Sequence, residues 1–184
     1  MKYAYYPGCS LKSSGKAFEE SLLRLFAFLE IEVEELDDWN CCGATAYMSV
    51  DEVSAAALAS RNLALAEKAG LPMAVPCAGC YGVLRKAQKM RAHYPEIGKK
   101  IADALSASGL PPSNSADVRH PLQILAQDYG AKALRSKVKK PLKGLKVACY
   151  YGCKLVRPEA PFDDPYDPQT METLLKSVGA RVVE

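Results

Sequence analysis

The residues of this chain best suited to chemistry are its cysteines. Seven occur in 184 residues, and five of them form the series Cys9, Cys41-Cys42 and Cys77-x2-Cys80. A Cys-x2-Cys step alone serves zinc, iron–sulfur clusters and dithiol redox sites alike. The adjacent pair narrows the choice. Neighbouring Cα atoms lie about 3.8 Å apart across a trans peptide, whereas a relaxed disulfide spans at least about 4.4 Å. A Cys41–Cys42 bridge is therefore strained and readily reduced. Two adjacent thiolates suit a polynuclear site, where different metal atoms take or share a sulfur. Zinc takes four ligands in a tetrahedron, and a cubane [4Fe–4S] cluster takes four cysteines. Five thiols exceed both. That leaves an iron–sulfur assembly with bridging thiolates, or a four-cysteine site with one spare reactive thiol.

Thiols so far apart in sequence need a fold that gathers them. "KYAYY" (Lys2 to Tyr6) reads as a buried strand ended by Pro7-Gly8. A helix follows over Gly15 to Glu30, with Phe18, Leu22, Leu25, Phe26 and Leu29 at helical spacing. "IEVEEL" (Ile31 to Leu36) alternates as a second strand. Ser49 with Glu52 has the capping-box spacing and opens an alanine-rich helix to Ala69, stopped at Gly70. "PMAVP" (Pro72 to Pro76) is a short strand. The helix after it starts near Ala78 and turns Val83, Leu84, Ala87 and Met90 inward. Pro95 to Ser108 is a further helix, "SGLPPSNSAD" a loop, and "PLQILAQDYGAKAL" a helix with Pro121 in its first turn. "GLKVACYYG" returns to strand. Asp167-Pro168 caps a helix carrying Met171, Leu174, Leu175 and Val178, and "ARVVE" is a strand. Alternating strands and helices predict an α/β fold: a Rossmann-like, mainly parallel sheet flanked by helices. Such sheets gather functional groups at the carboxyl ends of their strands. Cys9 follows the first strand, Cys41 and Cys42 the second, and Cys77 the third, with Cys80 in the first turn of the next helix. That helix start favours thiolate over thiol.

Composition excludes several functions. The formal charge is only +3, with no concentrated basic stripe, so a nucleic-acid partner is not expected. The one basic run, "SKVKKPLKGLK", reads as a solvated linker. No stretch of about 18 apolar residues predicts a membrane span, and "MKYAYYPGCS" is no secretory signal. The expected location is cytoplasmic. Thiols stay reduced there, so the cysteines read as ligands or redox groups, not bridges.

An internal repeat organises the chain. "KYAYYPGCSL" from Lys2 and "KVACYYGCKL" from Lys146 align without gaps, matching Gly8 to Gly152 and Cys9 to Cys153. The helix-strand pattern then resumes with about five extra residues in the second copy. The expected division is a first repeat over 1–140 and the beginning of a second, incomplete one over 141–184. The counterpart of the Cys41-Cys42 pair would fall just beyond Glu184, so a piece of a two-repeat protein is expected. Cys153 lacks partners, and Cys149, absent from the repeat, is expected to be an inert core residue.

At these residues the chain resembles a known family. "YYPGCSLKSSGKAFEESL", "NCCGATAYMS" and "PCAGCYGVL" resemble the cysteine-rich CCG domain of heterodisulfide reductase B subunits. "VRHPLQIL" resembles the segment between their two repeats. CCG domains also occur in iron–sulfur subunits of lactate, glycolate and glycerol-3-phosphate oxidation systems, but "YYPGCSL" leans to the heterodisulfide branch. The resemblance implies an oxidoreductase subunit holding a noncubane [4Fe–4S] cluster through Cys9, Cys41, Cys42, Cys77 and Cys80. It implies a ferredoxin-like iron–sulfur subunit and a flavin-containing subunit as partners, and a disulfide or thiol as substrate. The gap between Cys42 and Cys77 is about one residue shorter than the family's. With one repeat complete, the chain alone is expected to be inactive, and oxygen is expected to strip its cluster. Gly43 and Gly79 leave room for a substrate sulfur. Tyr6, Tyr47 and Tyr81 flank the motifs as candidate shields or hydrogen-bond donors, although packing is their simpler role. His120 is a candidate proton donor whose simpler role is to start a helix, and His93 reads as an exposed helix residue. The rival readings are an electron-carrying CCG subunit of a hydroxy-acid-oxidising complex and a non-enzymatic structural zinc module.

Overall fold

The computed structural model describes residues 1–44, 47–157 and 162–183. They form two compact units, Met1–Arg119 and His120–Glu184.

The first unit is built on a parallel sheet. Strand β1 (Lys2–Tyr5) leads through a short turn, α1 (Gly8–Leu11), and helix α2 (Lys16–Phe28) to β2 (Glu32–Glu35). Next come α3 (Tyr47–Val50), α4 (Glu52–Ala69), β3 (Met73–Ala74), α5 (Ala78–His93), α6 (Pro95–Ala107) and β4 (Val118–Arg119). The sheet order is β2-β1-β3-β4, all parallel. This is the flavodoxin-like variant of the doubly wound sheet, whose connections reverse direction between β1 and β3. Right-handed crossovers then place α2 on one face and α4, α5 and α6 on the other. The side chains agree. The Tyr5 hydroxyl donates to Glu19 of α2, while Tyr6, pointing the opposite way, donates to the Asn40 carbonyl beneath α4.

Strand β3 is the centre of the core, with Met73, Ala74 and Val75 fully buried. Its assigned length is short because Pro72 and Pro76 have no N–H to give the ladder. The Val75 N–H still bonds Arg119 and the Tyr6 N–H still bonds Ala74, so the sheet stays closed up to the cysteine loops. Val118 and Arg119 form a fourth strand between the expected loop, which ends at Asp117, and the expected helix from Pro121. Two residues are too few to show a period of two.

Several helices depart from expectation. In α2, Leu22 and Phe26 are buried, as is Leu29 just after it, but Phe18 and Leu25 face outward. Glu19 is buried instead, because it accepts from Tyr5 and pairs with Lys12 at 3.2 Å. Helix α4 is capped not by the Ser49–Glu52 box but by Asp51, whose Oδ1 accepts from the Ser54 N–H at 2.9 Å. It ends at Gly70 in the left-handed conformation, as its sequence predicts. Ala55, Ala56, Ala59, Ala64 and Ala66 line its buried side and let it lie close to its neighbours.

In the second unit, His120 caps α7 (Pro121–Gln123). A π-helical turn (Ile124–Gly130) follows, and Gly130 at φ 89° separates it from α8 (Ala131–Lys137). The single helix predicted here is thus three pieces. Strand β5 (Lys146–Val147), α9 (Cys153–Val156), α10 (Thr170–Ser177) and β6 (Arg181–Val182) complete the unit, with β5 and β6 paired in parallel. Helix α10 is capped by Asp163, which accepts from the Gln169 and Thr170 N–H groups, not by Asp167-Pro168. The basic run from Ser136 to Lys146 is exposed apart from Val138. Among the described residues no helix is long and apolar enough to cross a membrane.

Candidate metal centre

The carboxyl ends of β1, β2 and β3 carry Cys9, the Cys41-Cys42 pair, and Cys77 with Cys80. Cys77 is the N-cap of α5 and Cys80 lies in its first turn. All five are reduced thiols. They lie beside the β1/β3 reversal, where this type of sheet forms its crevice.

The five thiols fall into two interacting groups, joined by the Cys41-Cys42 peptide. Cys9 is a hydrogen-bond partner of Cys41, and Cys80 is a partner of both Cys42 and Cys77. Cys77 also bears on Cys42 electrostatically. Cys42 and Cys80 are buried, Cys41 and Cys77 half-buried, and Cys9 exposed, so the group runs from the interior to the surface. Among the described residues, no three Cys, His, Asp or Glu side chains are arranged to enclose a single metal ion. The thiols form a string of close pairs, not a ready shell about one point.

Their electrostatics differ. The Cys80 thiol donates to Cys42, and the Ala44 N–H also points to that sulfur. Together they outweigh burial and bring Cys42 down to about 7. Cys80 is pushed far up, because it holds the proton it shares with Cys42 and Cys77. Cys41 accepts from the Gly43 N–H, but burial and the nearby Cys42 and Cys9 thiols raise it all the same. Gly43 lies at φ 85°, a conformation that glycine adopts without strain. Each cysteine of the pair thus faces a backbone N–H group, but only at Cys42 does the balance favour thiolate.

Gly8 is the tightest point. It sits at φ 67°, and a Cβ there would lie 2.9 Å from the Cys80 sulfur. The turn after β1 thus packs its bare backbone against a thiol of α5. Lys12 holds the same turn from outside, pairing with Glu19 at 3.2 Å and Glu35 at 2.8 Å. Gly79 has only the Cys77 sulfur near its Cβ position, at 3.6 Å.

The two candidate tyrosines separate. Tyr6 is fully buried and feels Cys42, Cys80, Cys41 and Cys9 electrostatically, although burial is the chief cause raising its hydroxyl. Its ring packs edge-on against Trp39 at 5.6 Å, and its hydroxyl donates to the Asn40 carbonyl at 2.8 Å. Tyr81 is also buried, which raises it to about 12, but its charged neighbours are Arg85, Arg119 and Asp117. The Tyr47 side chain lies outside the described residues. His120 accepts from the Leu122 N–H through Nδ1 at 3.2 Å, a helix-starting role. His93 is exposed. In the second unit Cys149 is half-buried beside Glu172, not a core residue, and Cys153 is exposed.

The sequence reading misses the polar brace of the cysteine loop. Asn62 is fully buried on α4 and binds the Asn40 backbone through both ends of its amide. Arg61 reaches the Asp38 carbonyl and carboxylate and the Asn40 side chain. The visible signal was an asparagine on the alanine-lined side of α4.

Residues 3–85 match the CCG cysteine-rich domain model. Over 99% of its length the chain is 35% identical to the 8-methylmenaquinol:fumarate reductase membrane anchor subunit of Wolinella succinogenes. It is 32% identical, over 98%, to a protein of Archaeoglobus profundus that is named as resembling the B subunit of heterodisulfide reductase. Over its full length it is 31% identical to the B subunit of a CoB-CoM heterodisulfide reductase of Methanosarcina acetivorans. The chain spans only 62–63% of the length of these curated relatives. A hypothetical protein from Helicobacter pylori shares the fold, with a TM-score of 0.75 at 12% identity, over 100% of this chain and 32% of that one. Residues 3–85 are thus similar to the CCG cysteine-rich domain, and nearly the whole chain is similar to proteins named as heterodisulfide reductase B subunits or as resembling them.

Proposed function

We propose that the chain is the iron–sulfur subunit of a heterodisulfide reductase-like complex, holding a noncubane [4Fe–4S] cluster through Cys9, Cys41, Cys42, Cys77 and Cys80. The observation that carries this reading is that five thiols from three strand ends lie in two interacting groups linked at the Cys41-Cys42 pair. The donor set fits such a group. It is all sulfur, it exceeds the four ligands of zinc, and only a glycine at Gly8 lets the turn after β1 approach its inner sulfur. When bound, a cluster of this kind supplies one-electron chemistry at iron beside a substrate sulfur.

The chain's own residues prepare the place. Cys42 and Cys80 already share a proton, so Cys42 presents a thiolate near neutral pH. Tyr6, fully buried and packed edge-on against Trp39, lies beside the inner thiols. The Tyr6 hydroxyl is committed to Asn40, which makes it a structural shield and not a proton donor. Cys9 and Cys77 form the outer rim, where a disulfide would approach. The net reaction adds two electrons and two protons to a disulfide and yields two thiols. The electrons come from a ferredoxin-like and a flavin-containing partner subunit, in the cytoplasm. The division into a complete repeat over 1–140 and the beginning of another over 141–184 belongs to this proposal.

A second reading is favoured by one comparison. The Wolinella relative is named as a subunit of a quinol:fumarate reductase, so this chain would carry electrons in such a complex, or in a hydroxy-acid-oxidising one, without touching a disulfide. The assembled complex decides between them. Under the first reading it reduces a disulfide, and adding the product thiol changes the electron paramagnetic signal. A signal indifferent to thiols, with no disulfide reduction, selects the carrier.

A further inference from the structure

We infer that Asn62 is a positioning residue for the Cys41-Cys42 loop, setting both thiols in place before any cofactor arrives. This rests on the reading of those cysteines as cluster ligands.

The residue before the pair, Asn40, is fixed at every polar atom. Its N–H donates to Asn62 Oδ1 at 2.9 Å. Its carbonyl accepts from Asn62 Nδ2 at 3.0 Å and from the Tyr6 hydroxyl at 2.8 Å. Its side-chain Nδ2 donates to the Cys41 carbonyl at 2.8 Å and the Leu58 carbonyl at 3.1 Å. Its Oδ1 accepts from Arg61 Nη1 at 3.0 Å. Asn62 thus pairs with the backbone of Asn40 as a neighbouring strand would, with one N–H and one carbonyl, but from a helix. Only one orientation of its amide satisfies both bonds.

The cost of placing an amide there shows that the contact is specific. Asn62 is fully buried, where an unpaired amide is strongly disfavoured. The brace also joins two strand ends. Tyr6 leaves β1 two residues before Gly8 and three before Cys9, and meets Asn62 on the same carbonyl. Displacing that carbonyl moves Cys41 directly, and moves the floor under Cys9 through Tyr6.

The test uses the full chain in three variants. Asn62→Leu removes both bonds at similar volume. Asn62→Asp keeps an acceptor for the Asn40 N–H and loses the donor to its carbonyl. Leu63→Ala, on the same helix and fully buried, lowers stability without removing a hydrogen bond to the loop. Hydrogen exchange over residues 40–43 is measured without cofactor. After anaerobic reconstitution, the paramagnetic line shape and the rate of iron loss to a chelator are measured. In Asn62→Leu we expect roughly tenfold faster exchange of the loop, the size of a lost buried hydrogen bond. We also expect a broadened signal and roughly tenfold faster iron loss, the scale of losses when a hydrogen bond behind a metal ligand is removed. Asn62→Asp falls between. Leu63→Ala melts earlier with wild-type loop exchange, signal and chelator rate. The inference is overturned if Asn62→Leu keeps wild-type loop exchange and signal, or if Leu63→Ala reproduces its changes. A wild-type chain that takes up no iron overturns the ligand reading alone. Loop exchange accelerated in Asn62→Leu but not in Leu63→Ala then still supports the brace.

Discussion

Two stretches of similar sequence, one from Lys2 and one from Lys146, end differently. β1 pairs with β2 in the register Lys2 with Glu32, and β5 with β6 in the register Lys146 with Arg181. The first residues correspond, and the crossover is longer in the second copy. Beyond the strands the likeness fails. Tyr6 is fully buried and Tyr150 is 89% exposed. Gly8 lies at φ 67° against the Cys80 sulfur, whereas Gly152 is extended, with nothing near its Cβ position. Lys12 bridges two glutamates, while its counterpart Val156 is buried. The same string of residues becomes a thiol site only where neighbouring strands bring further sulfurs to it. A motif after one strand supplies a single ligand, and the sheet supplies the rest.

The largest break in this contrast comes from the thiols. Cys42→Ser or Cys80→Ser in anaerobically reconstituted protein should speed iron loss to a chelator by about tenfold or more. Cys149→Ser and Cys153→Ser should leave it unchanged. Equal losses from both units would erase the distinction drawn here.

Next are the matched glycines. Gly8→Ala must adopt a left-handed φ and move the Cys80 sulfur, which should cost about 1–2 kcal/mol in denaturant unfolding. Gly152→Ala should stay within about 0.5 kcal/mol of wild type.

A smaller effect concerns the shared proton. In cofactor-free protein the thiolate absorbance should rise through a midpoint near 7, from Cys42. Its pKa is lowered chiefly because Cys80 donates to it. Cys80→Ala, which leaves no donor, should therefore raise the midpoint, toward about 8.5 for a free thiol. An unmoved midpoint would remove Cys80 as the donor.

The smallest is Lys12→Met, which leaves buried Glu19 with Tyr5 but no cation. Because Lys12 is partly exposed, the loss should be about 0.5–1 kcal/mol, and smaller at high salt, by thermal unfolding at two ionic strengths.

Much of the first unit was legible because its signals are local. Strand runs ended by Pro7-Gly8, the stop at Gly70 and the apolar spacing of α5 all act within one turn or one strand, so the sheet and the rim of cysteines could be read directly. What escaped depends on distant partners. Glu19 is inside because Tyr5 and Lys12 meet it, and Phe18 faces out on the same helix. Asp163 caps α10 from seven residues upstream of Thr170, outside the turn in which a cap is normally sought. Asn62 reads as an ordinary polar helix residue until Asn40 is placed beneath it. The ligand roles of the five thiols rest on the family motif, and their convergence on the sheet order.

The most direct test of the central claim is metal and sulfide content, read with the paramagnetic spectrum of the anaerobically purified or reconstituted chain. The account predicts about four irons and about four sulfides per chain, with a signal lost in Cys42→Ser and kept in Cys153→Ser. One zinc per chain, with no iron taken up after reconstitution, would contradict it.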